Sequence, residues 1–208
     1  MGKKAEIKEE IWEIWKITLN AKRPLKYSFY LHKPETPEEL DYIRFSKDFQ
    51  FIRHSLWRLA VIELSKLFNS AKSGDKFNIF RFINKLEKDG YYRSLKIKQS
   101  KIDHWRKLLS DYDDIIKIVL ELRNRVYAHT DGPEAINDLD TPTFEQTEKL
   151  IDIIENVIQE IYSSVFDSFV NVESPDIDLN PSGIIKTLAE EKKSRIERLQ
   201  SLLKNKRS

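Results

Sequence analysis

Apolar residues recur every three or four positions along most of the chain, the spacing of helices that bury one face. Ile7, Ile11, Ile14, Trp15 and Thr18 predict an amphipathic helix over about residues 4–21, with Trp12 near its edge. Pro24 and Pro34 are expected to bracket a non-helical stretch. Thr36-Pro37-Glu38-Glu39 then joins an N-cap threonine, a proline at the first helical position and a capping-box glutamate. With no Gly or Pro before Gly74, this second helix is predicted to reach Phe68 or Ala71. Its later part, from Leu56 to Phe68, is apolar around much of its circumference and reads as the central core helix.

Phe77, Phe80, Ile83, Asn84 and Leu86 predict a short helix over 77–88, which Gly90 is expected to terminate. Residues 100–129 form a further helical region with a bend near Ser110-Asp111, and Asp131-Gly132-Pro133 should stop it. Thr143-Phe144-Glu145-Gln146 is a second capping box, opening an apolar stripe that runs toward Phe169. No period of 20–50 residues recurs, so an all-α antiparallel bundle over 1–172 is expected instead of a solenoid. Residues 173–183 read as a linker, and 184–208 as a basic amphipathic helix with its stripe interrupted at Glu191 and Lys192. Docking on the bundle, pairing with a second chain and ordering on binding all remain open for that helix.

Composition agrees with this reading. The 208 residues are 40% hydrophobic and 34% charged with five Gly, a balance that supports a core and favours helix. There is no cysteine, which removes disulfides and thiolate metal sites and fits the cytoplasm. No leader-like apolar core comes after Met1, and no run approaches the roughly 18 apolar residues of a membrane span, so no membrane partner is expected. The net charge of +2 is uneven: 183–208 holds eight Lys or Arg against three Glu, leaving +5 there and −3 elsewhere.

Most candidate chemistry has a structural explanation. His32, His54, His104 and His129 show no metal-ligand spacing, so neither a metal nor another cofactor is expected. Phosphate-loop, dinucleotide and nucleophile-elbow signatures are absent. Asp111, Asp113 and Asp114 suit the positive end of a helix. Tyr91 and Tyr92, beside Arg93, Lys96 and Lys98, suit packing or a solvated loop better than base stacking. Glu63, inside the most apolar helix, is expected to face an arginine as an ion pair or as an orienter of a site. Lys192, Lys193, Arg195 and Arg198 form a weak candidate surface for RNA.

One segment stands apart. Leu122-Arg123-Asn124-Arg125-Val126-Tyr127-Ala128-His129-Thr130-Asp131 joins guanidinium, amide and imidazole groups at a helix end, a set suited to phosphodiester chemistry. The same groups would also suit a helix C-terminus stabilised by cations. On an ideal α-helix Arg123 and His129 project about 120° apart, whereas Arg125 and His129 are only about 40° apart, so Arg125 competes with Arg123. Arg125, Asp131 and Glu63 stand as secondary candidates.

Arg123 to His129 resembles the arginine–polar–histidine motif of HEPN domains, helical bundles common in prokaryotic defence and toxin systems. Together with Ser55 to Phe68, Leu122 to Asp131 looks like the AbiU2-like branch, named for a phage abortive-infection protein, over approximately residues 10–170. The resemblance implies a metal-independent endoribonuclease with Arg123, Asn124 and His129 as catalytic residues, leaving 2′,3′-cyclic phosphate ends on RNA. It further implies a homodimer sharing one cleft and an antitoxin partner; a noncatalytic RNA- or protein-binding dimerisation module is the alternative. Some HEPN toxins carry a modifiable tyrosine two residues past the histidine; here that position is Asp131, which puts such regulation in doubt.

Overall fold

A computed structural model describes residues 2–69, 77–128, 140–169 and 181–205. Among these residues all regular structure is helical: α1 (Lys3–His32), α2 (Pro37–Arg44), α3 (Lys47–Phe68), α4 (Ile79–Leu86), α5 (Gln99–Asp111), α6 (Asp113–Glu121), α7 (Phe144–Phe166) and α8 (Pro181–Asn205). A short 3-10 turn covers Arg93–Leu95, and a π-helical turn, Leu122–Ala128, continues α6. The expected all-α class is what the structure shows.

The helices divide into two units, one of Met1–Leu25 with Arg58–Pro175, the other of Lys26–Trp57 with Asp176–Ser208. In the first, Ile7, Ile11, Ile14 and Thr18 are buried as the α1 stripe requires, while Trp15 is half-buried and Trp12 exposed. Leu64, Leu67 and Phe68 of α3, Phe82 of α4, Trp105 of α5 and the row Leu150, Ile154, Val157, Ile161 of α7 complete that core. Both predicted capping boxes form: Thr36 with Glu39 opens α2, and Thr143 with Gln146 opens α7. Charges near the core are paired. Glu10 takes Lys85 at 2.6 Å and the Tyr92 hydroxyl at 2.9 Å, and Glu155 takes Lys22 at 2.8 Å. Burial, and then Glu10 beside it, pushes the Tyr92 phenol well above its usual range. Tyr92 is thus structural, while Tyr91 is exposed and donates to Glu6 at 2.6 Å.

The second unit centres on Tyr30, Leu31, Ile43 and Ile185, with Tyr42, Phe49 and Leu56 packed against them. Its α8 lies on α2 through Ile185 and Ala189. Lys192 sits 5.4 Å from the centre of the Tyr42 ring and Lys193 pairs with Glu38 at 3.1 Å. Docking on the chain's own α2 therefore accounts for the first part of the stripe. Ile196, Leu199, Leu202 and Leu203 remain exposed.

Four boundaries differ from expectation. The first helix does not stop at Pro24 but runs to His32. An internal proline costs about 3 kcal/mol through a lost hydrogen bond and a clash, yet Leu25, Tyr30 and Leu31 beyond it are all buried. At roughly 1.5–3 kcal/mol for each large apolar side chain, their burial outweighs the break. The second predicted helix is two helices. Phe45 closes α2, and the Ser46 hydroxyl accepts the Phe49 N–H at 3.3 Å, starting α3 as an N-cap. Its expected reach past Asn69 to Ala71 lies outside the described residues. The last helix begins at Pro181, so 181–183 belong to it and not to the linker, whose remainder, 173–180, lies outside the described residues. The bend expected near Ser110-Asp111, by contrast, does form there, at Tyr112 between α5 and α6.

Gly90 is the fourth. Asn78 caps the start of α4, and the helix ends at Leu86, closed by the Glu87 N–H on the Asn84 carbonyl, before the glycine is reached. Gly90 matters for a different reason: a Cβ there would collide with the main-chain carbonyl oxygens of Asn84 and Lys85. The chain folds back tightly enough for Tyr92 N–H to reach the Lys85 carbonyl at 2.6 Å. Since the obstructing atoms are backbone, Gly90→Ala should cost about 1–3 kcal/mol, the usual range for overpacking. Urea denaturation checks this; an unchanged midpoint would show that the turn opens without cost.

Candidate functional site

The motif is built on the end of α6. Asp113 and Asp114 occupy its first turn, where negative charge favours the helix dipole. Lys117 holds both carboxylates, at 2.7 and 3.3 Å, and chiefly through its bond to Asp113 its own pKa is raised. Asp113 and Asp114 thus stand where their spacing predicted, in the first turn of a helix, whereas Asp111 is the last residue of α5 and not at a helix start. Farther along, Ile116, Val119 and Leu122 are buried and fix the helix on the core.

From Leu122 to Ala128 the helix widens into a π turn. Such turns are rare and concentrate at functional sites, because the i to i+5 bonding re-aims the side chains it carries. Leu122 and Tyr127 are buried at either end of the turn; between them Asn124 is exposed, and Arg123 and Arg125 are half-buried. The angular comparison that made Arg125 a rival assumed an ideal α-helix, a geometry this turn does not keep.

Arg123 Nη1 donates to Asn124 Oδ1 at 2.8 Å. This bond orients the amide. Its acceptor oxygen is engaged by the guanidinium, so its NH2 group is the part left to meet a ligand. The pair therefore offers donors: the remaining guanidinium N–H groups and the Asn124 NH2. That chemistry selects anions with several acceptor oxygens, phosphate above all. His129 and Asp131 lie outside the described residues, as does the stop at Asp131-Gly132-Pro133.

Sequence reasoning missed Arg58 of α3. Its Nη2 donates to the Tyr127 carbonyl at 2.8 Å, and its guanidinium carbon is 5.6 Å from the Tyr127 ring centre. The signal available was a single cation between Trp57 and Leu59 in a mainly apolar run. Glu63 requires correction, for its carboxylate meets Lys66 one turn along α3 at 2.5 Å, not an arginine. The α8 cations also divide: Lys192 and Lys193 hold α8 to α2, whereas Arg195 and Arg198 are exposed.

One concavity is poorly suited to phosphate. A pocket of about 470 Å³ in the first unit is lined by Glu6, Glu9, Glu10 and Glu13 beside Trp12, Phe77, Lys85 and Tyr92, and its charge opposes a polyanion. Among the described residues no group of three or more His, Cys, Asp or Glu is placed to hold a metal ion, and no helix is long and apolar enough to cross a membrane.

The helices of the described residues are those of an all-α HEPN-like fold. The HEPN AbiU2 family model matches residues 4–179, and the chain belongs to that family. Membership gives it a HEPN-type function of the abortive-infection kind. Neither a curated protein nor a solved structure matches the chain. The matched residues end just before α8, which begins at Pro181.

Proposed function

We propose that the protein is a metal-independent endoribonuclease acting as a toxin or phage-defence effector on cellular RNA in the cytoplasm. The observation that carries this reading is the bonded Arg123–Asn124 pair on an accessible π turn, with His129 five residues past the asparagine in the chain. A ribose 2′-oxygen attacks the adjacent phosphorus while its proton passes to a base; the bond to the 5′-oxygen breaks, and that oxygen takes up a proton. His129 handles proton transfer, Arg123 stabilises charge growing on the non-bridging phosphate oxygens, and the Asn124 NH2 orients the phosphate.

A single imidazole cannot readily act as base and acid in one step. A second copy contributing its own motif supplies the other proton carrier, so the working unit is a homodimer. An antitoxin protein would then act by covering this anion-binding surface, since the modification route through a tyrosine meets Asp131 here.

The test is RNA cleavage by purified protein in excess EDTA, with the product ends identified by mass spectrometry. Cleavage leaving 2′,3′-cyclic phosphates is expected. Cleavage that stops in EDTA, or leaves 3′-hydroxyl ends, would overturn the mechanism. RNA binding without cleavage would identify a noncatalytic module.

A further inference from the structure

The contact between α3 and the π turn extends the site by one residue. We propose that Arg58 is a positioning residue of the candidate ribonuclease centre, fixing the main chain at Tyr127 so that the π turn keeps the Arg123–Asn124 pair in place. The role in catalysis rests on the ribonuclease reading; the hold on the turn does not.

Arg58 grips Tyr127 in two independent ways. The hydrogen bond to its carbonyl, 2.8 Å, fixes the main chain, and the guanidinium 5.6 Å from its ring centre engages the side chain. Tyr127 is itself buried, so the ring is an anchored target and not a loose surface group. The last carbonyls of a helix lack intrahelical donors, and a cation is electrostatically favoured at that end. Water could satisfy a carbonyl, but it would not hold the residue in place.

Position along the chain gives this grip its consequence. Tyr127 lies four residues after Arg123 and three after Asn124, near the far end of the turn that carries both. Arg123 and Asn124 are fixed from the other side by the α6 anchor at buried Leu122. With Tyr127 held, the turn is pinned at both ends. With it released, the wide i to i+5 turn can change register, and the Arg123–Asn124 pair loses its fixed frame.

Arg58 acts from sixty-nine residues away in sequence. Its planar fork is suited to holding a carbonyl while facing a ring, two tasks that lysine performs less well.

The experiment compares the full-length wild type with Arg58→Ala and Arg58→Lys in steady-state RNA cleavage and in amide hydrogen exchange of peptides covering 122–128, the latter without RNA. For Arg58→Ala, kcat should fall about 10- to 100-fold, the scale of loss that misplacement by roughly an ångström produces. KM should change less than about threefold, since substrate-binding groups remain. Exchange should accelerate in 122–128 while α7 peptides stay protected, and Arg58→Lys should recover part of both losses.

Wild-type kcat in Arg58→Ala overturns the catalytic role, as does a rise in KM at constant kcat, which would make Arg58 a simple RNA contact. Unchanged exchange in 122–128 overturns the hold on the turn. If Arg58→Ala unfolds, Arg58→Lys must show the local acceleration and a reduced kcat by itself, or the proposal falls. A wild type inert toward RNA whose turn still loosens in Arg58→Ala would sink the ribonuclease reading and leave the positioning of Tyr127 supported.

Discussion

Arg123→Ala should lower RNA cleavage by about two to three orders of magnitude, the cost of removing one donor to a developing oxyanion. The protein should lose little stability, within roughly 0.5 kcal/mol, as for substitutions away from packed or networked sites. The reason is local. Arg123 is half-buried, and its described hydrogen bond is to the neighbouring Asn124, itself exposed, so no core group is orphaned. Arg123→Lys should recover little activity, because an ammonium keeps the charge without the fork that engages phosphate oxygens and the amide together. Asn124→Ala should be milder, since it leaves the charge in place. Single-turnover cleavage beside thermal melting measures both quantities. Should Arg123→Ala cleave at the wild-type rate while Arg125→Ala does not, the role passes to Arg125, and the family's pattern would be displaced by two residues here.

The largest loss of stability is expected from Trp105→Ala, at about 3–5 kcal/mol. Trp105 is fully buried in α5, and its indole N–H donates to Glu160 of α7 at 2.9 Å. The substitution thus opens a large cavity where α5 meets α7 and also strips a carboxylate of its donor. Trp105→Phe separates the two effects, keeping most of the apolar volume and losing the donor, for which about 1–3 kcal/mol is the usual penalty. At roughly 2–4 °C for each kcal/mol in a chain of this size, the alanine variant should melt on the order of 10 °C lower. Urea and thermal unfolding monitored by circular dichroism would show it. A loss below about 1 kcal/mol would mean that the α5–α7 contact contributes little to stability.

What the sequence disclosed, it disclosed through local rules. The capping boxes at Thr36 and Thr143 and the buried faces of α1 and α7 come from spacing alone, because each is decided within a few residues. The break at Phe45–Ser46 was hidden by periodicity that continues across it, although Ser46 ahead of Asp48 is a legible N-cap signal in hindsight. Pro24 misled because tertiary burial beyond it overrides a local preference. Arg58 could not be assigned from sequence, since its value comes from a partner far along the chain. Arg123 and Asn124 were legible as residue types, but their mutual bond and the π turn beneath them were not; no composition marks i to i+5 bonding. Glu63 was correctly singled out as a charge needing a partner, yet the nearest cation proved to be one turn away on its own helix.

The π turn also bears on how this chain tolerates changes of length. A ring closed between i and i+5 contains one residue more than the ring of an α-helix, so Leu122–Ala128 carries a surplus residue in its winding. That surplus sets the phase between the helix before the turn and the chain beyond it. Losing one residue there would let the segment wind as ordinary α-helix, at about 100° per residue, and bring different side chains of the turn onto its exposed face. Along this stretch the number of residues is thus a structural variable in its own right. A deletion that spared Arg123, Asn124 and His129 could still pull the motif out of phase.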